Sequence, residues 1–361
     1  MGYLLASALI SSAVALFFVR HARDGGTWGS DSDFDGPQKF HSIAVPRLGG
    51  VGILVALTGC AVFALWQMSG QQQMALLVAC GIPAIAYGLA EDMTLSVSPR
   101  KRFIATAISA LLGAYVLGAV IHRTDIAVID GLLGWSWLAI PLTVFAVSGL
   151  ANSINIIDGF NGLAAMVCIL MFAAIACVAY RVDDSFILLT SLSCIGALIG
   201  FFIWNFPRGL IFLGEGGAYF MGFMLAELAI LLCQRHAEVS AWFALLVFFY
   251  PIVETVFSIY RRRVIKGVSI ASPDAFHLHS LIFRRLLKAR TAGGEPSLLA
   301  NRNSITSLYL WALSLVAVVP AVLFWNNTPV LMLFCAVFIG VYCWIYQSIV
   351  RFRTPAWLAF R

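Results

Sequence analysis

The chain has 361 residues, 61% hydrophobic and 11% charged, with a formal net charge of +6 and a mean hydropathy of +0.92. A soluble globular protein carries about 45–50% apolar and about 25% charged residues, so that class is excluded. The basic excess does not indicate nucleic acid, because the lysines and arginines are spread over separate loops with no nucleic-acid motif beside them, and membrane topology accounts for them.

Runs of about 20 largely uncharged residues, enough to cross a hydrocarbon core of about 30 Å, lie near 3–19, 49–68, 73–90, 103–122, 133–150, 163–180, 186–205, 209–233, 240–260, 305–324 and 329–349. They far exceed the ~10 residues of a barrel strand and lack its alternation. The expected fold is therefore an all-α integral membrane protein with about eleven transmembrane helices, one polytopic domain over 1–361. If odd-numbered helices end inside, the inner loops and C-terminal tail hold 20 of the 23 basic residues, leaving Arg123, Arg181 and Arg235 outside. The N-terminus is then periplasmic or extracellular and the C-terminus cytoplasmic. No basic residue precedes the first apolar run and Arg20 follows it, the order of a membrane helix rather than a cleaved signal peptide. The eight cysteines sit in apolar segments without CxxC pairing and read as packing residues.

The outer loops are short and carry no chemical cluster, whereas the inner stretches 20–48, 91–102, 151–162, 206–218 and 261–304 hold the chemistry. The first contains Lys39 and Arg47. Glu91 and Asp92 follow the third helix; adjacent carboxylates suit a divalent cation, although a solvated turn would look the same. Asn152, Asn155, Asp158 and Asn161 recur every third residue at a helix boundary, with glycines between them that admit a close ligand. Such groups are costly at a membrane helix end unless they bind something. Glu215 lies six residues into the run from Gly209, about 9 Å inward at 1.5 Å per residue, and its flanking glycines suggest a broken helix. Glu227 and Glu254 stand alone inside apolar segments, and a hydrogen bond to a neighbouring helix is the expected role of each. The last loop carries His277 and His279 among nine basic residues. A zinc half-site lacks further ligands nearby, and donation to phosphate oxygens fits better. All these stretches are predicted on the cytoplasmic face, where they would form one site from several loops.

Taken together, the inner loops resemble the polyprenyl-phosphate N-acetylhexosamine-1-phosphate transferase family of WecA-, TagO- and MraY-like enzymes. The resemblance rests on Asp35-x-Pro37-x-Lys39-x-His41 with Pro46-Arg47-Leu48-Gly49-Gly50, the acidic pair at 91–92 and Asn152-x-x-Asn155-x-x-Asp158-Gly159-x-x-Gly162-Leu163. It continues in Phe212-Leu-Gly214-Glu215-x-Gly217 and Ser272-Pro-Asp274-x-x-His277-x-His279. It implies transfer of a sugar-1-phosphate, GlcNAc or a 6-deoxy-HexNAc, from a UDP-sugar to undecaprenyl phosphate in a bacterial inner membrane, initiating cell-surface polysaccharide synthesis. UMP is released. The implied ion is Mg²⁺, with Mn²⁺ as an alternative, and the implied partners are the UDP-N-acetylhexosamine donor, the undecaprenyl phosphate acceptor and membrane lipids, a homodimer being left open.

Carried over by position, Asn155 and Glu215 match the metal ligands, and Glu91, Asp92 and Asp158 the catalytic acids. Lys39, Arg47, Lys101, Asn152, Asn161, His277 and His279 match substrate contacts. The chain departs from the family in Glu91 and Glu215, where aspartate is usual, and in Ser280, where a further histidine is usual. A multi-pass transporter and a catalytically inactive family member are the rival readings, the first opposed by the absence of repeated halves.

Overall fold

The computed structural model describes residues 1–24, 29–31, 45–66, 72–265, 267, 276–287 and 296–353. Lys39, with the rest of the 35–41 motif, and Ser272 to Asp274 lie outside the described residues. Among the described residues the fold is all-α apart from a two-residue antiparallel pairing of β1 (Ser30–Asp31) with β2 (Val45–Pro46). The helices are α1 (Gly2–Arg23), α2 (Gly49–Trp66), α3 (Gln72–Cys80), α4 (Ile82–Thr94), α5 (Pro99–Val116), α6 (Ala127–Leu133), α7 (Ser136–Ile157) and α8 (Leu163–Arg181). There follow α9 (Ser185–Asn205), α10 (Gly214–Arg235), α11 (Ala241–Val247), α12 (Phe249–Tyr260), α13 (Leu278–Leu281), α14 (Pro296–Leu323) and α15 (Thr328–Val350). Among the described residues, eight helices are long and apolar enough to cross a membrane, or up to ten if the pairs α3/α4 and α11/α12 each make one span.

Every predicted apolar segment is helical over most of its length, but several boundaries differ. Segment 73–90 is broken after Cys80 and bent by 42°, with Pro83 near the start of α4. Segment 240–260 is broken at Phe248 and bent by 69°. Proline tolerates a first helical turn and interrupts an interior, which fixes where α4 can begin. Segment 103–122 becomes α5, which starts earlier at Pro99, carries Arg100, Lys101 and Arg102 in its first turn, and stops at Val116. Hydropathy alone favours an uninterrupted span, and these breaks rest on local backbone chemistry that it does not register.

The core is organised round α10, most of whose residues are buried between α7, α4, α2, α8 and α5, with α1 and α9 packed together beside it. Without a hydrophobic drive between helices in lipid, such packing relies on small residues that let backbones approach. A Cβ on Gly88 of α4 would run into the backbone of Gly216 in α10, so the two helices meet glycine to glycine.

At the end of the bundle away from the predicted inner loops, polar side chains tie the connections together. Asp125 Oδ2 accepts from Ser240 Oγ (2.8 Å), Ala241 N (2.9 Å) and Thr328 Oγ1 (3.0 Å). Arg123 Nε lies 3.3 Å from Asp125 Oδ1, and its guanidinium donates to the carbonyls of Cys233, Ala237 and Val239. Partial burial pushes the Asp125 carboxyl upward, but the three hydrogen bonds and Arg123 outweigh it and hold the group below its ordinary range. Such a group stabilises the fold above its unfolded pKa, and that contribution is lost as the pH falls below about 4. Asp125→Asn is therefore expected to cost about 1–3 kcal/mol at neutral pH and less at pH 3. Thermal unfolding of both proteins at the two pH values checks this, and equal melting at pH 7 would refute it.

Candidate active site

One cavity of about 360 Å³ collects residues from separate inner stretches: Arg47, Asp92, Asn155, Asp158, Asn161, Glu215, His277 and His279 all line it. They come from the segment before α2, the end of α4, the α7–α8 junction, the start of α10 and the approach to α13. These are N-terminal ends of α2 and α10 and C-terminal ends of α4 and α7, which an antiparallel bundle brings to one side.

The start of α10 is the best defined part. Gly214 has φ +77°, and a Cβ there would strike the Arg47 carbonyl and the Asp92 carboxylate. L-residues with side chains rarely adopt that conformation. It turns the chain so that the next two amides face α4: Glu215 N donates to Asp92 Oδ1 and Gly216 N to Asp92 Oδ2, both at 2.9 Å. Asp92, 3% exposed, thus caps α10 from another helix. Glu215 itself pairs with Arg102 of α5. The sequence reading, which placed Glu215 about 9 Å inside an apolar helix, is corrected here. Residues 209–213 are not helical, and Glu215 sits in the first turn of α10. There the positive end of the helix dipole favours an anion.

The asparagine run begins in the last turns of α7 and ends in the turn before α8. Asn155 and Asp158 line the cavity, while Asn152 faces the other way, toward Tyr219 (3.5 Å). Asn161 lines the cavity but is heavily engaged: its Nδ2 donates to the Pro207 carbonyl (3.0 Å), its N–H to Asn303 Oδ1 (2.7 Å), and its carbonyl accepts from Ser307 Oγ (2.7 Å). Asn205 Oδ1 receives Gly162 N at 2.5 Å, and Asn205 Nδ2 donates to the Ile211 carbonyl at 2.7 Å. Asn205 and Asn303 were not singled out from sequence. Each is an amide at the edge of an apolar run with no motif around it, and only the contact across the bundle gives it meaning.

Three predicted residues are not brought into the cavity. Glu91 turns aside, its Oε2 accepting from Val97 N at 2.6 Å. Lys101 is exposed on the first turn of α5, and Asn152 borders a second, apolar groove. His277 and His279 do converge, their rings stacked at 5.1 Å and 12°, with Phe160 5.3 Å from His279.

No three His, Cys, Asp or Glu side chains among the described residues form a protein-only metal cage. The cavity does offer hard oxygen donors from Asn155, Asp158 and Glu215. That set suits an ion such as Mg²⁺, which takes one or two carboxylates and completes its shell with water and phosphate. Burial pushes the Asp158 carboxyl up to about 7, Asp92 adding to the effect and Arg47 opposing it. A carboxyl raised in the folded state favours its protonated form, so its contribution is full below about pH 4 and is lost as the pH climbs to 7. In ligand-free protein, Asp158→Asn should melt with the wild type at pH 4 and above it at pH 8; identical curves at both would show that Asp158 is not desolvated.

The fold and cavity define the class: a polytopic all-α membrane protein with an acid-, amide- and histidine-lined site at one end of its helices. The sequence comparisons then show what the chain is similar to. The pattern of glycosyl transferase family 4 matches residues 73–233. The probable undecaprenyl-phosphate N-acetylglucosaminyl 1-phosphate transferase of Bacillus subtilis is 28% identical over 243 residues, 67% of this chain and 66% of that protein. The chain thus spans just under two thirds of that relative's length. Phospho-N-acetylmuramoyl-pentapeptide-transferases of Latilactobacillus sakei (28% over 274 residues, 69% of this chain, 80% of the relative) and Lactiplantibacillus plantarum (29% over 298, 76% and 87%) are also similar. These matches support the likeness of the chain to the WecA-, TagO- and MraY-like transferases.

Proposed function

We propose that the chain transfers an N-acetylhexosamine-1-phosphate from a UDP-sugar to undecaprenyl phosphate. The observation that carries this reading is the junction of two unlike spaces along α7. Asn152 and Ser153 border an apolar groove of about 780 Å³, walled by α5, α7, α10, α11 and α12, while Asn155 and Asp158, the next turn on, line the polar cavity. A lipid phosphate has that two-part shape. Its chain would lie in the groove and its head at the cavity, where the nucleotide sugar waits. The names of the relatives, an undecaprenyl-phosphate transferase and pentapeptide transferases, agree with this substrate pair.

In the reaction an oxygen of the acceptor phosphate attacks the sugar-bearing phosphorus of the donor. The phosphoanhydride bond to the uridylyl phosphate breaks, UMP leaves, and a polyprenyl-diphosphate sugar remains. Several negative charges meet in that encounter, so cationic and dipolar groups must neutralise them. Arg47 faces the cavity, Arg102 stands behind Glu215, His277 and His279 border it, and the N-terminus of α10 points its positive end there. A Mg²⁺ or Mn²⁺ ion held by Asn155 and Glu215, with Asp158 facing it, would screen the donor diphosphate. Asp92, with both oxygens committed to α10, orients Glu215, and a phosphate already ionised near pH 7 needs no strong base. We place the cavity on the cytoplasmic face of a bacterial inner membrane, from the basic inner loops, and count eleven spans by adding α5 to the ten. The product would enter cell-surface polysaccharide synthesis. A transporter is disfavoured, since its site would sit near mid-membrane and the cavity is at the helix ends.

The test is an assay in membranes containing undecaprenyl phosphate and Mg²⁺ with a panel of radiolabelled UDP-N-acetylhexosamines, GlcNAc first and 6-deoxy sugars next. Absence of lipid-linked product from every donor would sink the proposal. Asp92→Asn and Asn155→Ala should reduce turnover by about 100-fold or more with normal membrane insertion. Glu215→Asp should retain activity or gain in Mg²⁺ affinity, and a loss as deep as that of Glu215→Ala would instead mark a geometry specific to glutamate.

A further inference from the structure

Glu254 is 1% exposed on α12 and has three donors. His277 Nδ1 lies 2.9 Å and Leu278 N 3.1 Å from its Oε1, and Tyr342 of α15 donates to its Oε2 at 2.8 Å. A carboxylate can only accept, so the hydrogen in the first of these bonds belongs to Nδ1 of the imidazole. His277 then addresses any molecule in the cavity it lines through Nε2. The same carboxylate anchors the backbone at the start of α13, and the stacked pair His277–His279 extends that order to a second ring on Phe160. On α12, Ile252, Val256 and Ile259 line the apolar groove, and Glu254 is two positions from Ile252, which sets it on the opposite side of the helix.

We propose that Glu254 is the positioning residue of the donor site: it fixes the tautomer and ring orientation of His277 toward the nucleotide diphosphate, from a helix whose other face is the groove wall. This rests on the donor-site reading above. Carboxylates behind a functional histidine act in this way on metal-binding imidazoles, where their loss costs about 10–100-fold in affinity or activity.

The probe is UDP, titrated calorimetrically with Mg²⁺ into the full chain in lipid nanodiscs without acceptor. Glu254→Ala should weaken UDP binding by about 10-fold or more, and Glu254→Gln, which keeps an accepting oxygen, should restore it to within about threefold of wild type. Loss of His277 should make Glu254 irrelevant, so Glu254→Ala/His277→Ala should bind UDP no more weakly than His277→Ala. Wild-type protein that binds no UDP overturns the donor-site reading and this inference with it. Wild-type binding matched within twofold by Glu254→Ala, or fully additive losses in the double variant, overturns the inference alone. If Glu254→Ala does not fold, Tyr342→Phe replaces it. That variant should weaken UDP binding by about threefold, with no further effect in the His277→Ala background, and unchanged binding in Tyr342→Phe overturns the proposal.

Discussion

The cap that Asp92 places on α10 is the interaction on which the rest of the site depends. A helix that starts inside a bundle has orphan amides with no water to satisfy them, and each costs several kcal/mol in a medium of low polarity. Asp92 satisfies two, and it can reach them because Gly88 of the same helix lets α4 close onto Gly216. The same contact sets the register of α4 against α10. Glu215 follows from it: once its amide is bound to Asp92, its side chain has one turn of helix in which to point, and it meets Arg102. One carboxylate therefore holds a second where it can serve a ligand.

The remaining polar residues divide between those that face the cavity and those that hold the wall. Asn155 and Asp158 face it; Asn161, Asn205, Asn303 and Ser307 spend much of their hydrogen-bonding capacity on one another's backbones and on the 205–211 segment. The turn between α7 and α8 has no regular secondary structure to satisfy its backbone, and a buried irregular segment is tolerated only when side chains take over that role. The wall amides are thus the condition for an unwound site at this depth. The α14 helix contributes to it although its own sequence carries no motif, because Asn303, Ser307 and Trp311 reach the junction from one face.

The all-α class was legible in the sequence because apolar length is a direct consequence of bilayer thickness. The residues of the cavity were legible in large part as well: Asp92, Asn155, Asp158, Glu215 and the two histidines are polar groups where polarity is expensive. What the sequence hid was the orientation of neighbours. Glu91 and Asp92 look alike as a pair, yet successive side chains on a helix diverge by about 100°, and one goes to α10 while the other turns back to Val97. Asn152 and Asn155 separate for a related reason, three residues amounting to less than a full turn. The breaks at Gly81 and Phe248 escaped because they fall inside uninterrupted apolar runs.

Glu227 and Glu254 show why a carboxylate inside an apolar helix has no meaning until its surroundings are known. Both are fully or almost fully buried, and both looked equivalent in sequence. Glu254 collects three donors from two other segments and becomes a fixed acceptor, so its burial is compensated and its position determined. Both Glu227 oxygens, among the described residues, lie without a hydrogen-bond partner against Gly113 of α5. Any side chain at position 113 would occupy the space the carboxyl needs, so that glycine is part of the accommodation. A buried acid whose burial is uncompensated is a cost the fold carries, whereas one with three directed donors can transmit position from one helix to another. Only the second kind can align a histidine beside the cavity, and that distinction comes from the geometry of the donors rather than from depth or charge.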